Sequence, residues 1–170
     1  MKKLMESFVK NMTENMPGRI INEFNVQFYL GVDLLISNYE VRMEDKILTG
    51  GHAKSYPDIL CKKNRDEHGI EVKVLLKGSG GTKSRMEGMM TDAKFLGQLV
   101  SNNSIKKGYA VTITNDPYMY DGENDPECDD CNREMYSLFR NKDKKVKLFG
   151  FEADWLETGE YHSYVMEIVR

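Results

Sequence analysis

The stretch Gly69-Ile70-Glu71-Val72-Lys73-Val74-Leu75-Leu76 constrains the fold most, because from Ile70 to Val74 the apolar residues fall at every second position. That is the period of a strand, so Ile70, Val72 and Val74 share one face and Glu71 and Lys73 the other. A carboxylate and an amine then stand side by side, roughly 7 Å apart by strand rise. The preceding Tyr56-Pro57-Asp58-Ile59-Leu60 reads as an adjacent strand. Between them, the polar run Cys61 to Gly69 ends in glycine and reads as a hairpin connection that folds Asp58 back beside Glu71.

Two carboxylates and one lysine converging on a strand pair have a definite chemical use. Hard oxygen ligands suit Mg²⁺, which keeps several waters and is commonly held by one or two carboxylates beside a phosphate. The lysine then orients or deprotonates an attacking water, or offsets charge on the phosphate, according to its own charge state. Pro57-Asp58, followed after twelve intervening residues by Glu71-Val72-Lys73, resembles the PD-(D/E)xK signature of the restriction-endonuclease-like nuclease superfamily. The resemblance implies catalysis by Asp58, Glu71 and Lys73, with Mg²⁺ (or Mn²⁺) on Asp58, Glu71 and the Val72 backbone carbonyl. In that superfamily a helix ahead of the first strand often adds a carboxylate near the metals, and Glu23 is the candidate. The plainer reading of I-E-V-K-V is a half-exposed strand with a solvated Glu/Lys face. An acidic residue in a helix's first turn is likewise favoured by the macrodipole without any catalytic role.

Charge is unevenly spread. Residues 1–60 carry 7 basic and 8 acidic side chains, residues 61–107 carry 10 and 5, and residues 108–170 carry 7 and 14. The positive segment contains the Asp/Glu/Lys set's second half, where backbone phosphate would have to be neutralised. A glycine-rich basic loop follows it, Lys77 to Arg85, and lacks the P-loop spacing. Lys77, Lys83 and Arg85 are the candidate nucleic-acid-binding residues if this is a basic loop over the site; the alternative is a plain linker. The net charge of −3 argues against a protein that coats nucleic acid indiscriminately.

Around this centre the chain reads as alternating elements. Residues 1–16 form a short amphipathic helix with Leu4, Phe8 and Met12 on one side, ended by Pro17-Gly18. A second helix runs from about Asn22 to Ser37, its apolar stripe being Ile21, Phe24, Phe28, Val32 and Leu35. Tyr39–Leu48 reads as the first strand, and His52 lies in the loop after it. A methionine-rich helix from Ser84 to about Asn102 follows the motif, then a strand, Tyr109–Thr114, stopped by Asn115-Asp116-Pro117. Gln98 is not followed by tyrosine four residues on, which argues against the RecB-like branch. In the acidic segment 116–134, Cys128 and Cys131 have no second ligand pair, and Cys61 and His162 lack supporting spacing, so the pair is expected to be metal-free. Glu134–Arg140 reads as a short helix, and Val146–Phe151 and Tyr161–Val169 as strands that extend the sheet or cover one face.

The fold expected is one α/β domain over residues 1–170, a central mixed β-sheet flanked by helices with a restriction-endonuclease-like core. The function expected is metal-dependent hydrolysis of DNA phosphodiester bonds, in restriction or repair. The alternative is a non-catalytic nucleic-acid-binding or assembly module that retains the fold. DNA is the expected partner, with room for a homodimer or larger assembly. No apolar run approaches the roughly 20 residues of a membrane span, and the odd cysteine count of 3 builds no disulfide framework, so a cytoplasmic setting is expected.

Overall fold

The computed structural model describes residues 1–43, 56–78, 81–120, 138–139 and 144–170, the side chains of 82 and 83 excepted. The far end of the expected first strand, His52, both cysteines of the acidic segment and most of 134–140 lie outside these residues. Helix α1 spans Lys2–Asn15 and α2 spans Glu23–Ile36. Short strands β1 (Glu40–Met43) and β2 (Ile59–Lys63) lead to the long β3 (Asp66–Leu75). Then come α3 (Thr82–Ser101), β4 (Lys107–Thr114), a hairpin of β5 (Lys145–Leu148) and β6 (Phe151–Asp154), and a second hairpin of β7 (Leu156–Thr158) and β8 (Tyr161–Ile168).

Six of the strands form one mixed sheet in the order β1-β2-β3-β4-β8-β7. β3 and β4 are parallel, joined by α3, and the other pairs are antiparallel. Among the described residues no helix is long and apolar enough to cross a membrane. One face of the sheet, with Ile59, Ile70, Val72, Val111 and Val165, packs against α1 and α2. The other, with Leu75, Ala110, Tyr164 and Met166, packs against α3 and the β5–β6 hairpin. The period-two pattern of β3 thus has its apolar residues under α1 and α2, as expected, while Glu71 and Lys73 face α3.

Local chemistry sets the boundaries. Asn22 caps α2, its side-chain oxygen accepting the N–H of Asn25 at 2.9 Å. The polar run after Leu60 is mostly strand rather than connection. β2 and β3 extend through it to a tight turn at Asn64-Arg65, with Asn64 in the left-handed region. Lys62 stands opposite Glu67 and Lys63 opposite Asp66 in register, and the two carboxylates pair with Arg42 and Lys106, so ion pairs to neighbouring segments accompany a stretch that composition alone reads as loop.

Gly69 consequently sits inside β3, and its small size serves packing. A Cβ there would come within 3.0 Å of Ile105, 3.1 Å of Pro57 and 3.2 Å of Leu96. Its register partner Gly108 is tighter still, a Cβ there lying 2.8 Å from the Cβ of Leu96. The two glycines form a notch into which α3 and Pro57 settle, and Pro57 in turn carries Asp58.

Two further expectations are corrected. The stripe Ile21, Phe24, Phe28, Val32 and Leu35 faces outward. The side of α2 against the sheet is Val26, Gln27, Leu30, Gly31 and Leu34, where each fully buried leucine contributes about 1.5–3 kcal/mol over an exposed one. Val146–Phe151 is not one strand: Phe149 and Gly150, both at positive φ, turn the chain between β5 and β6. This hairpin covers the α3 face of the sheet instead of extending it.

Candidate functional site

The β2–β3 ladder ends where Ile59 faces Ile70, so β3 runs on past β2 from Glu71 to Leu75. Asp58 immediately precedes β2, and its Oδ2 accepts the N–H of Val72 at 2.9 Å. A side-chain carboxylate thereby takes over where the backbone ladder stops. In an antiparallel pair one residue directs its N–H and C=O to the same side, so the Val72 carbonyl shares this strand edge with Asp58.

Strand alternation turns Glu71 and Lys73 to the α3 face, beside Ala110 and Thr112 of β4 in register. Asp58 is 3% exposed and Glu71 2%. Burying a carboxylate costs several kcal/mol unless it is paired, hydrogen-bonded or bound to a metal. Glu71 is therefore not the solvated residue that the half-exposed reading of I-E-V-K-V describes.

Lys73 joins the helices to this strand end. Its ammonium lies 3.4 Å from Glu23 Oε2 in the first turn of α2 and 3.2 Å from Asp92 Oδ2 on α3. Gly88 of α3 lies alongside its stem, the place of a Cβ there being 3.9 Å from Lys73 Cε, an ordinary contact distance. Burial pulls the lysine pKa down, but Asp92, Glu23 and then Asp58 outweigh it and hold the group above its ordinary value. Lys73 is thus an ammonium at neutral pH. It can attract and orient a phosphate oxygen or a water, and it is poorly suited to remove a proton.

Sequence reasoning placed Asp58, Glu71, Lys73 and Glu23, and the structure brings Glu23 onto Lys73. It missed Asp92. The signal was present, since Asp92 lies three residues after Met89 and four before Leu96, both buried, which is the inward phase of α3. An acid there has to find a cation.

The basic loop divides. Arg85 turns inward, 3.1 Å from Asp116 Oδ2 and donating to the Leu76 carbonyl at 3.0 Å, and so clamps the first turn of α3 to the ends of β3 and β4. Lys77 is exposed, and its backbone N–H donates to Asn115 Oδ1 at 2.7 Å. The side chain of Lys83 lies outside the described residues. Cys61 is buried, and loss of hydration pushes its thiol up to about 12, unlike a ligand thiolate. His162 stacks on Tyr120 with ring centroids 3.4 Å apart.

Among the described residues, no group of three or more His, Cys, Asp or Glu side chains is arranged to hold a metal. A structural cage of the zinc kind is not formed by them. Mg²⁺ asks for less, one or two carboxylates with water and phosphate oxygens completing the shell. Asp58 and the Val72 carbonyl lie on the β3 edge and Glu71 on the adjoining α3 face; all three offer hard oxygens, chemically a donor set of that kind. No family model, curated protein or solved structure matches the chain.

Proposed function

We propose that this chain is a metal-dependent nuclease of the restriction-endonuclease-like kind that hydrolyses DNA phosphodiester bonds. The observation that carries the reading is the buried strand end, where Asp58 accepts the Val72 N–H and Glu71 and Lys73 emerge on the face toward Asp92. A proline-aspartate before one strand and Glu-Val-Lys on its neighbour are there brought together from opposite sides of a hairpin.

In this reading Asp58, Glu71 and the Val72 carbonyl would hold Mg²⁺ or Mn²⁺, which supplies phosphate polarisation and a more acidic bound water. The Val72 N–H holds the Asp58 carboxylate against the β3 edge. Lys73, kept charged by Asp92 and Glu23, places a positive charge where negative charge develops on the phosphate. Glu23 and Asp92 act as positioning residues through that lysine. Exposed Lys77 neutralises backbone phosphate next to the site.

The test is cleavage of supercoiled, linear and single-stranded DNA with Mg²⁺ and with Mn²⁺, alongside a thermal melt for folding. The parent protein is expected to cut. Asp58→Ala and Glu71→Ala should lose cleavage while binding persists or tightens, because a negative charge near the phosphates is gone. Lys73→Ala should lose about 10²–10³-fold in rate. A folded Glu71→Ala protein that cuts as well as the parent overturns the assignment of the site.

A further inference from the structure

Helix α2 carries large apolar residues on the side turned away from its own sheet. Ile21, Phe24, Phe28, Val32, Leu35 and Ile36 are exposed, from 38% at Val32 to 74% at Ile36. The helix already buries Val26, Leu30 and Leu34 on its other side, so the outward residues are surplus to the core. Large apolar side chains each present on the order of 150–200 Å², and six of them about half exposed offer roughly 500–600 Å². That reaches the upper limit of about 300–600 Å² for the largest patch on a typical monomer. It is also most of the roughly 800 Å² per partner that a standard interface buries. The helix sequence, EFNVQFYLGVDLLI, contains no lysine or arginine to keep this face apart from another apolar surface.

The order of the residues says what fits there. From Ile21 the steps to Phe24, Phe28, Val32 and Leu35 are three, four, four and three residues, a spacing that reads the same in both directions about Phe28. A second copy of α2 laid antiparallel, with Phe28 on the axis, would set Ile21 against Leu35 and Phe24 against Val32. Phe28 would meet its own counterpart. Large faces small at the 24/32 contacts, as interdigitation requires, and every contact is made twice. Such a self-complementary patch is what a two-fold interface needs, residue i meeting j while j meets i. Asp33 of one copy comes level with Glu23 of the other, whose carboxylate is turned toward Lys73.

We propose that the outward face of α2 is a homodimer interface, two copies packing antiparallel about a two-fold axis through Phe28. The proposal does not depend on the nuclease reading. Sedimentation velocity of the full chain, from about 1 to about 100 μM, tests it. The parent is expected to sediment as a species of twice 19.6 kDa at the upper concentrations. Phe28→Glu, Phe24→Lys and Val32→Glu should each weaken association by at least about 100-fold. Their far-UV circular dichroism should be unchanged, because these side chains lie outside the core. The double variant Phe24→Lys/Val32→Glu should recover the dimer, since each new lysine then faces a new glutamate. A parent that stays monomeric throughout overturns the proposal. So does a dimer indifferent to Phe28→Glu, or a double variant no more associated than the single ones.

Discussion

Lys73 shows how much of the site a residue pattern can carry and where it stops. The alternation in Ile70–Val74 identifies its face and its neighbour Glu71 from sequence alone, but Asp92 lies 19 residues further along the chain, on α3, and only packing brings it in. Because Lys73 offsets carboxylates from two helices, Lys73→Met should destabilise the fold by about 2 kcal/mol, below the range for a fully buried pair because the side chain keeps some contact with water. Urea unfolding checks this, and an unchanged midpoint would contradict it. The folded pKa of Lys73 lies above its unfolded value, so its contribution is complete below the unfolded pKa and is lost as pH rises through the folded one. Lys73→Met should therefore flatten the alkaline limb of stability against pH. His68 has the opposite sign. Burial holds its imidazole below the ordinary value against the pull of Asp66, so its contribution is present above the unfolded pKa and lost as pH falls through the folded one. Replacing it with Phe should reduce the loss of stability between about pH 7 and about pH 5, where an ordinary imidazole titrates, in thermal melts across that range.

At the scale of elements, the helices and the long strands were legible because their apolar periods are strong, and what misled was a helix with two apolar sides. α2 carries Val26, Leu30 and Leu34 on one side and Phe24, Phe28, Val32 and Leu35 on another. Period alone cannot say which of these meets a sheet. Val146–Phe151 reads as one strand because Phe149-Gly150 is an uncommon pair in a two-residue turn, where asparagine or aspartate before glycine is the usual signal. In sequence Gly69 reads as loop punctuation, and its reason is tertiary: the approach of α3. That packing predicts an unequal pair of variants. Gly108→Ala brings a methyl against the Cβ of Leu96 and should cost about 1–3 kcal/mol. Leu96→Ala in the same chain should not relieve it, because the contacted atom remains. Gly69→Ala meets the movable ends of Ile105, Pro57 and Leu96, so it should cost less stability while shifting Pro57 and Asp58. Thermal unfolding of the three proteins decides, and a Gly108→Ala protein as stable as the parent would contradict the notch.

For the whole molecule, the order of helices and strands predicted an α/β domain with a central mixed sheet, and the six-stranded sheet between α1/α2 and α3 is that. Its strand order was not legible, since nothing in β7 or β8 announces that β8 will lie beside β4 until side chains from distant elements are packed together. The architecture gives the motif its setting. β2 stops early, β3 continues, and the buried Asp58 lies on its edge while the buried Glu71 and the charged Lys73 stand on the side of α3. Under the proposed function, this strand end binds a divalent cation for phosphodiester hydrolysis. Crystals soaked in Mn²⁺ and read by anomalous scattering test it most directly. The expected result is a peak coordinated by carboxylate oxygens of both Asp58 and Glu71 at about 2.1–2.2 Å, distances ordinary for a small hard divalent ion, and no such peak in Glu71→Ala crystals. Manganese found only elsewhere, or a site that survives loss of Glu71 unchanged, would contradict it.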